Sequence, residues 1–323
     1  MQPFKTILAA VLVLLLVLSA VSCAPSETGK PTEPEKQTDP VDSTEPEPEP
    51  SDTTPDESEE PAKKPVLLVV SFGTSYNDNR EATIGALEKA LTDAYPDYEV
   101  RRAFTSQIII DKLKDRDKLE IDNVTEAMNR LVADGVKDVI IQPTHVMSGF
   151  EYDDVVKETS AFKDKFTTFK IGKPLLTSDA DFEKVAAILA EQTDSENKKE
   201  TAFVFMGHGT EHAANATYAR MQKVMTDAGH KNFFVGTVEA APTVEDVLKM
   251  VKDAGFKKVQ MRPLMIVAGD HANNDMAGDE DDSWKSIFEK AGMEVECVLE
   301  GLGQYKGIQE IFKDHVADTI AGK

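Results

Sequence analysis

Val66-Leu67-Leu68-Val69-Val70 is an unbroken apolar run. A strand with one wet face alternates, whereas a run without polar interruption marks a strand covered on both faces, as in parallel sheets. The run breaks into Ser71-Phe72-Gly73-Thr74-Ser75, a turn, and helical spacing follows from Glu81 to Tyr95 through Ile84, Leu87, Ala90 and Leu91. The same order of events recurs along the chain. Further strands are expected at Glu99 to Ala103, Asp138 to Gln142, Phe169 to Ile171, from Thr201, at Phe233 to Thr237, Lys258 to Arg262 and Glu294 to Leu299. Helices are expected near Thr125 to Ala133, Ala180 to Gln192, Ala216 to Ala228, Val244 to Ala254, Asp282 to Ala291 and Ile308 to Ile320. Strands alternating with helices build βαβ units and a parallel sheet, so the fold class is α/β.

The chain also repeats itself weakly. Val69-Val70-Ser71-Phe72-Gly73-Thr74 lies over Phe205-Met206-Gly207-His208-Gly209-Thr210. Val139-Ile140-Ile141-Gln142-Pro143, with Gly149 after it, lies over Val259-Gln260-Met261-Arg262-Pro263, with Gly269 at the same spacing. The repeat predicts two similar α/β halves, 65–178 and 179–323, facing each other across a cleft. In this overlay Phe72 stands opposite His208, and Glu151 opposite His271.

Ahead of the halves lie two segments of different character. Residues 1–23 combine Lys5, an apolar run from Ile7 to Val21, and Ala20-Val21-Ser22-Cys23. Small residues before a cysteine resemble a bacterial lipobox, with Ala20 in place of the usual leucine, and imply a product that begins at a lipidated Cys23. A plain signal peptide or an uncleaved anchor are the other readings. Residues 24–64 are rich in Pro, Glu, Asp, Thr and Ser, with thirteen acidic and four basic residues from Glu27 to Lys64. So little apolar material cannot build a core, and the segment reads as a disordered, extended linker. The expected location is therefore the outer face of a membrane, reached through the lipid, or the periplasm. Lipidation of Cys23 leaves Cys297 alone, with no internal disulfide possible, because the chain has two cysteines. The whole chain carries a net charge of −22, which excludes a nucleic-acid footprint.

Candidate chemistry gathers in the second half. In open parallel sheets ligands bind beyond the carboxyl ends of the strands. Three such ends carry a metal-competent residue: His208 within Gly207-His208-Gly209, Glu239 after Gly236-Thr237-Val238, and His271 after Gly269-Asp270. Each is separated from the next by about one βα unit. Two imidazoles and a carboxylate suit a borderline divalent ion such as Co²⁺, Ni²⁺, Fe²⁺ or Zn²⁺ and leave coordination positions open. A neutral imidazole also accepts protons near pH 7, so His208 and His271 serve as candidate ligands and bases together. His145 ends a strand of the first half and faces the same cleft, where it would touch a ligand or play a structural part. His212 is a candidate for supporting a ligand residue, and His230 and His315 read as surface positions. Asp279-Glu280-Asp281-Asp282 reads as an acidic helix start.

Four blocks carry a resemblance. Leu68-Val69-Val70-Ser71-Phe72-Gly73-Thr74-Ser75-Tyr76, Arg102-Ala103-Phe104-Thr105-Ser106, Met206-Gly207-His208-Gly209-Thr210-Glu211-His212 and the stretch Pro263 to Gly278, with its Ala-Gly-Asp-His-Ala-x-Asn-Asp-Met-Ala pattern, are similar to the anaerobic sirohydrochlorin cobaltochelatases, the class II chelatases. So is the tail Gly301-Leu302-Gly303, and the likeness runs from about Val66 to Ile320. The resemblance implies two flavodoxin-like halves with the active site in the cleft between them, and insertion of Co²⁺ into a tetrapyrrole on the way to cobalamin. It places the metal residues on His208, Glu239 and His271. It makes Ser71, Thr74, Ser75, Arg102, Thr105, Ser106 and His145 candidates for holding substrate. No organic cofactor is implied, and Fe²⁺ or Ni²⁺ stands as the alternative metal. The export signal departs from cytoplasmic members and keeps a second reading open, a surface protein that binds haem or metal without catalysis. Expected partners are the tetrapyrrole and, through the anchor only, a membrane; self-association is left open.

Overall fold

The structure, a computed structural model, describes residues 63–195 and 197–323. The expected signal segment with Cys23, and the linker as far as residue 62, lie outside the described residues. Among the described residues no helix is long and apolar enough to cross a membrane.

The first half starts with β1 (Val66–Ser71), every residue of which is buried. Then comes α1 (Asn77–Arg80), which runs through a π-helical turn (Glu81–Gly85) into α2 (Ala86–Ala94). β2 (Glu99–Phe104), α3 (Gln107–Asp117), α4 (Val124–Ala133), β3 (Asp138–Pro143), α5 (Phe150–Ser160) and β4 (Thr168–Ile171) complete it. The second half holds α6 (Asp179–Thr193), β5 (Thr201–Gly207), α7 (Ala216–Asp227), β6 (Phe233–Thr237), α8 (Val244–Asp253), β7 (Lys258–Pro263), α9 (Trp284–Lys290), β8 (Glu294–Cys297) and α10 (Lys306–Ala321).

Each half has its own four-stranded sheet. The orders are β2-β1-β3-β4 and β6-β5-β7-β8, with every pairing parallel. The duplication reaches single hydrogen bonds. Thr144 N–H donates to Val70 O at 2.8 Å, and Leu264 N–H to Met206 O at 2.7 Å. Thr105 N–H donates to Ser71 O and Ser106 N–H to Phe72 O; Val238 N–H donates to Gly207 O and Glu239 N–H to His208 O. Pro143 and Pro263 close β3 and β7 in register with Val70 and Met206. A proline has no N–H for the ladder, so the chain leaves the sheet there in both halves.

The central strands are held by burial. Leu67, Val69, Phe203 and Phe205 are fully buried and share one cluster with helical residues from both halves. Burying one such side chain is worth about 1.5–3 kcal/mol. Side-chain caps set three helix starts: Asn123 with Glu126, Ser178 with Asp181 and Thr243 with Asp246 form capping boxes.

Two features depart from the sequence reading. Helix α3 was not legible, because its inward face is only Ile110 and Leu113 while charged residues fill most of the rest. And α10, although it ends the second half in sequence, packs on the first. Tyr95 O–H donates to Lys313 O at 2.6 Å, Lys170 Nζ donates to Ile320 O at 2.6 Å, and Ile311, Phe312 and Val316 join the core of Leu67, Leu87 and Leu91. The last helix thus ties the two halves together.

Candidate active site

The carboxyl ends of β1, β3, β5 and β7 open into one cleft between the halves. It is a cavity of about 440 Å³ lined by Ser71, Thr74, Ser75, Ser106, His145, Glu151, His208 and His271 among others. That volume falls within the range of roughly 300–1,000 Å³ typical of small-ligand sites. A larger hollow of about 710 Å³ lies on the outer surface by α2 and β2, but it contains no histidine and its arginines are already paired. The chemistry therefore belongs to the smaller, deeper cleft.

His208 follows β5 between two positions that only glycine can serve. A Cβ on Gly207 would lie 2.1 Å from the Tyr218 ring, and Gly209 has φ +87° with Ala240 N only 2.8 Å from where its Cβ would stand. The Tyr218 hydroxyl accepts from Gly209 N–H at 3.2 Å, which fixes the turn. The Glu239 N–H bond to His208 O sets Glu239 beside the imidazole, and its Oε2 is 3.7 Å from His208 Nδ1. His271 comes at the start of a π-helical turn (Ala272–Met276) that brings Asp275 under it. The His208 and His271 rings meet edge to face at 4.7 Å. His208, Glu239 and His271 can each offer one donor atom, with all three atoms within 4.8 Å of one another.

The hydrogen bonds orient both rings alike. His208 Nδ1 is 2.8 Å from Gly209 O, and His271 Nδ1 is 2.7 Å from Asp275 Oδ2. An acceptor at Nδ1 puts the proton there and leaves the Nε2 lone pair for an ion or a proton; the tautomer is assigned from these partners. Sequence spacing carries one signal for Asp275: it stands four residues after His271, one helical turn on.

Other expected residues are placed as follows. Ser71 and Thr144 share a hydrogen bond at 2.8 Å, and the Thr74 hydroxyl accepts from Tyr76 N–H at 3.3 Å. Both line the cleft, as do Ser75 and Ser106. Arg102 does not: Glu88 holds its guanidinium through two hydrogen bonds of 2.7 and 2.5 Å, and it lines the outer hollow instead. Thr105 is also absent from the cleft wall, its hydroxyl buried without a partner among the described residues. His145 is on the wall, and both its ring nitrogens are buried and unpartnered among the described residues. Burial lowers its pKa to about 4, against the pull of Glu151, so the ring is neutral at physiological pH.

His212 supports no ligand residue. Its Nδ1 accepts from Ala214 N–H at 3.0 Å, and its ring packs on Phe150 of the first half. His315 is not a surface residue either. It is buried between Asp181 (3.2 Å) and Lys173 O (3.3 Å), because α10 folds back onto the first half. His230 stacks on Phe233. Asp279 and Asp281 pair with Lys285 and Lys290 of α9, in keeping with an acidic helix start.

The chain is similar to several known proteins. The sequence model of the family described as cobalt chelatase (CbiK) matches residues 65–321. The chain is 43% identical over 257 residues to the sirohydrochlorin cobaltochelatase of Salmonella typhimurium, covering 80% of this chain and 97% of that protein. It is 32% identical over 263 residues to the sirohydrochlorin cobaltochelatase CbiKC of Nitratidesulfovibrio vulgaris, covering 81% of this chain and 92% of that one. In fold it is similar to SirB from Bacillus subtilis with Fe³⁺, at a TM-score of 0.56 and 12% identity, over 80% of this chain and 97% of the other. A cobalt complex of SirB gives 0.55 over the same shares.

Proposed function

The chain belongs to the cobalt chelatase (CbiK) family, and from that premise we propose that it inserts Co²⁺ into sirohydrochlorin, as a step of cobalamin biosynthesis. The observation that carries the reading is the convergence of His208, Glu239 and His271, two of which line the cleft between the halves. Two imidazoles and one carboxylate hold a borderline divalent ion while leaving positions open for incoming pyrrole nitrogens. Co²⁺ is the substrate here, delivered and then given up, so an incomplete ligand set is what the task requires.

Insertion exchanges one Co²⁺ for two protons from the pyrrole nitrogens. The Nδ1 protons of His208 and His271 are engaged by Gly209 O and Asp275, so each Nε2 meets the cleft as a base or ligand. Glu239 supplies negative charge beside the ion, and Glu151 is a carboxylate on the opposite wall. As the imidazoles release the metal to the ring, these bases take the departing protons. His145 is on the same wall, neutral, with both ring nitrogens buried beneath the cleft surface. The apolar part of the wall, including Ile84, Ile109, Leu264 and Ile266, suits the flat face of the ring.

We further propose that the domain is exported and held at a membrane by lipidated Cys23, with 24–64 as a stalk. The support is the lipobox-like Ala20-Val21-Ser22-Cys23 and the acidic, proline-rich composition that follows.

The test is to mix the full-length protein with sirohydrochlorin and Co²⁺ and follow the visible spectrum. The reading expects metallation faster than the uncatalysed reaction. No acceleration, together with tight haem binding, would favour a carrier over an enzyme.

A further inference from the structure

Sirohydrochlorin carries acetate and propionate carboxylates around its rim, and this protein is strongly acidic. The cleft wall itself includes Glu151 and Asp270. Something must offset the repulsion between a polyanionic macrocycle and an acidic cleft. Arg102, the one cation among the residues expected to hold substrate, does not: it is committed to Glu88 and lines the outer hollow.

The answer lies on α3. Ile110 and Leu113 anchor this helix in a small core with Ile84, Phe104 and Ile121. The face turned by one helical step carries Ile108, Lys112 and Arg116, spaced four residues apart and therefore aligned along the cleft side. Ile108 is 81% exposed, and with the half-exposed Phe72 it forms an apolar shelf on the cleft wall. Arg116 is not free. Its Nη2 donates to Ser75 O at 2.6 Å and Asn77 Oδ1 at 2.8 Å, and Asp117 neutralises it. Lys112 is different. It is the sole lysine or arginine on the cleft wall, and among the described residues no carboxylate pairs with it. It also lines a polar annex with Ser75, Tyr76, Asn77, Asp78 and Arg116 that continues the cleft outward.

We propose that Lys112 is a specificity-determining residue: its ammonium receives a rim carboxylate of the macrocycle in this annex, while Ile108 and Phe72 support the ring edge. The inference rests on the chelatase reading above. A lysine fits this role because its long stem lies along apolar surface while the compact charge reaches the rim.

The experiment measures KM for sirohydrochlorin at fixed Co²⁺, for the full-length parent and for Lys112→Ala, Lys112→Glu and Lys112→Arg, with Co²⁺ affinity measured separately. Lys112→Ala should raise KM by roughly fivefold and Lys112→Glu by more than tenfold, the range expected between a partly exposed ion pair and a hydrogen bond to a charged group. Lys112→Arg should stay close to the parent. Added salt should narrow the gap between the parent and Lys112→Ala, because it screens the lysine's attraction in the parent and leaves only the acidic repulsion to be screened in the variant. Co²⁺ affinity should not change in any variant. If the parent metallates and Lys112→Glu keeps its KM, the inference is overturned and the chelatase reading stands. A loss of Co²⁺ affinity alongside KM would equally overturn it, because the effect would then lie at the metal residues. A parent that neither binds nor metallates sirohydrochlorin would remove the chelatase reading and this inference with it.

Discussion

Asp275 offers a graded test of how the site is built. Its Oδ2 is 2.7 Å from His271 Nδ1, and this contact fixes both the tautomer and the angle of the ring. Losing a partner that stands behind a metal-binding histidine typically costs 10–100-fold in affinity. The side chains of Asp275 and His271 are 44% and 31% exposed, so water can replace part of the lost acceptor. Asp275→Ala should therefore weaken Co²⁺ binding at the lower end of that range, about tenfold, or about 1.4 kcal/mol. Asp275→Asn keeps an acceptor oxygen but loses the charge and should fall between parent and Ala. The assay is a Co²⁺ titration followed by absorbance, with circular dichroism to verify folding. Binding within twofold of the parent would refute the orienting role, and so would a loss as large as that of His271→Ala, since Asp275 would then be acting as a ligand itself.

Three further outcomes follow from the packing and the termini. Gly207→Ala would push a Cβ to within 2.1 Å of the Tyr218 ring, so it should cost about 1–3 kcal/mol by overpacking and lower Tm by several degrees; a parent-like Tm would show that Tyr218 moves freely. Burial raises the Asp181 carboxyl, but Ser178 and His315 outweigh it and hold it below the ordinary value; Asp181→Asn should therefore be destabilised at pH 7, by about 1–3 kcal/mol, with the deficit shrinking as pH falls below roughly 4, and a deficit constant with pH would rule out the carboxylate as its source. Cys23→Ala should release the full-length protein from membranes, and retention there would exclude the lipid anchor.

Much of this was legible because the repeating unit is simple. Runs such as Val66 to Val70 can only be buried, and glycines around His208 can only mark a tight strand end, so the strands, their parallel sense and the three converging residues could be read from order and spacing. The Phe72–His208 overlay holds down to matched backbone bonds. What escaped depends on long-range contacts. His315 is buried by a helix that crosses to the other half, and nothing near it in sequence reports that crossing. Arg102 is held by Glu88 of α2, and nothing beside it in sequence reports that pair. Helix α3 was hidden because a helix beside an open cleft keeps so narrow an apolar face, and Lys112 was hidden with it.

The proposed metal step rests on His208 and His271. The direct measurement is the initial rate of Co²⁺ insertion into sirohydrochlorin by the parent, His208→Ala and His271→Ala at matched protein concentration. Ligand loss should exceed the effect of losing a supporting partner, so each variant should be slowed by more than a hundredfold while keeping a native circular dichroism spectrum. Either variant working within tenfold of the parent rate would show that its histidine does not carry the metal step.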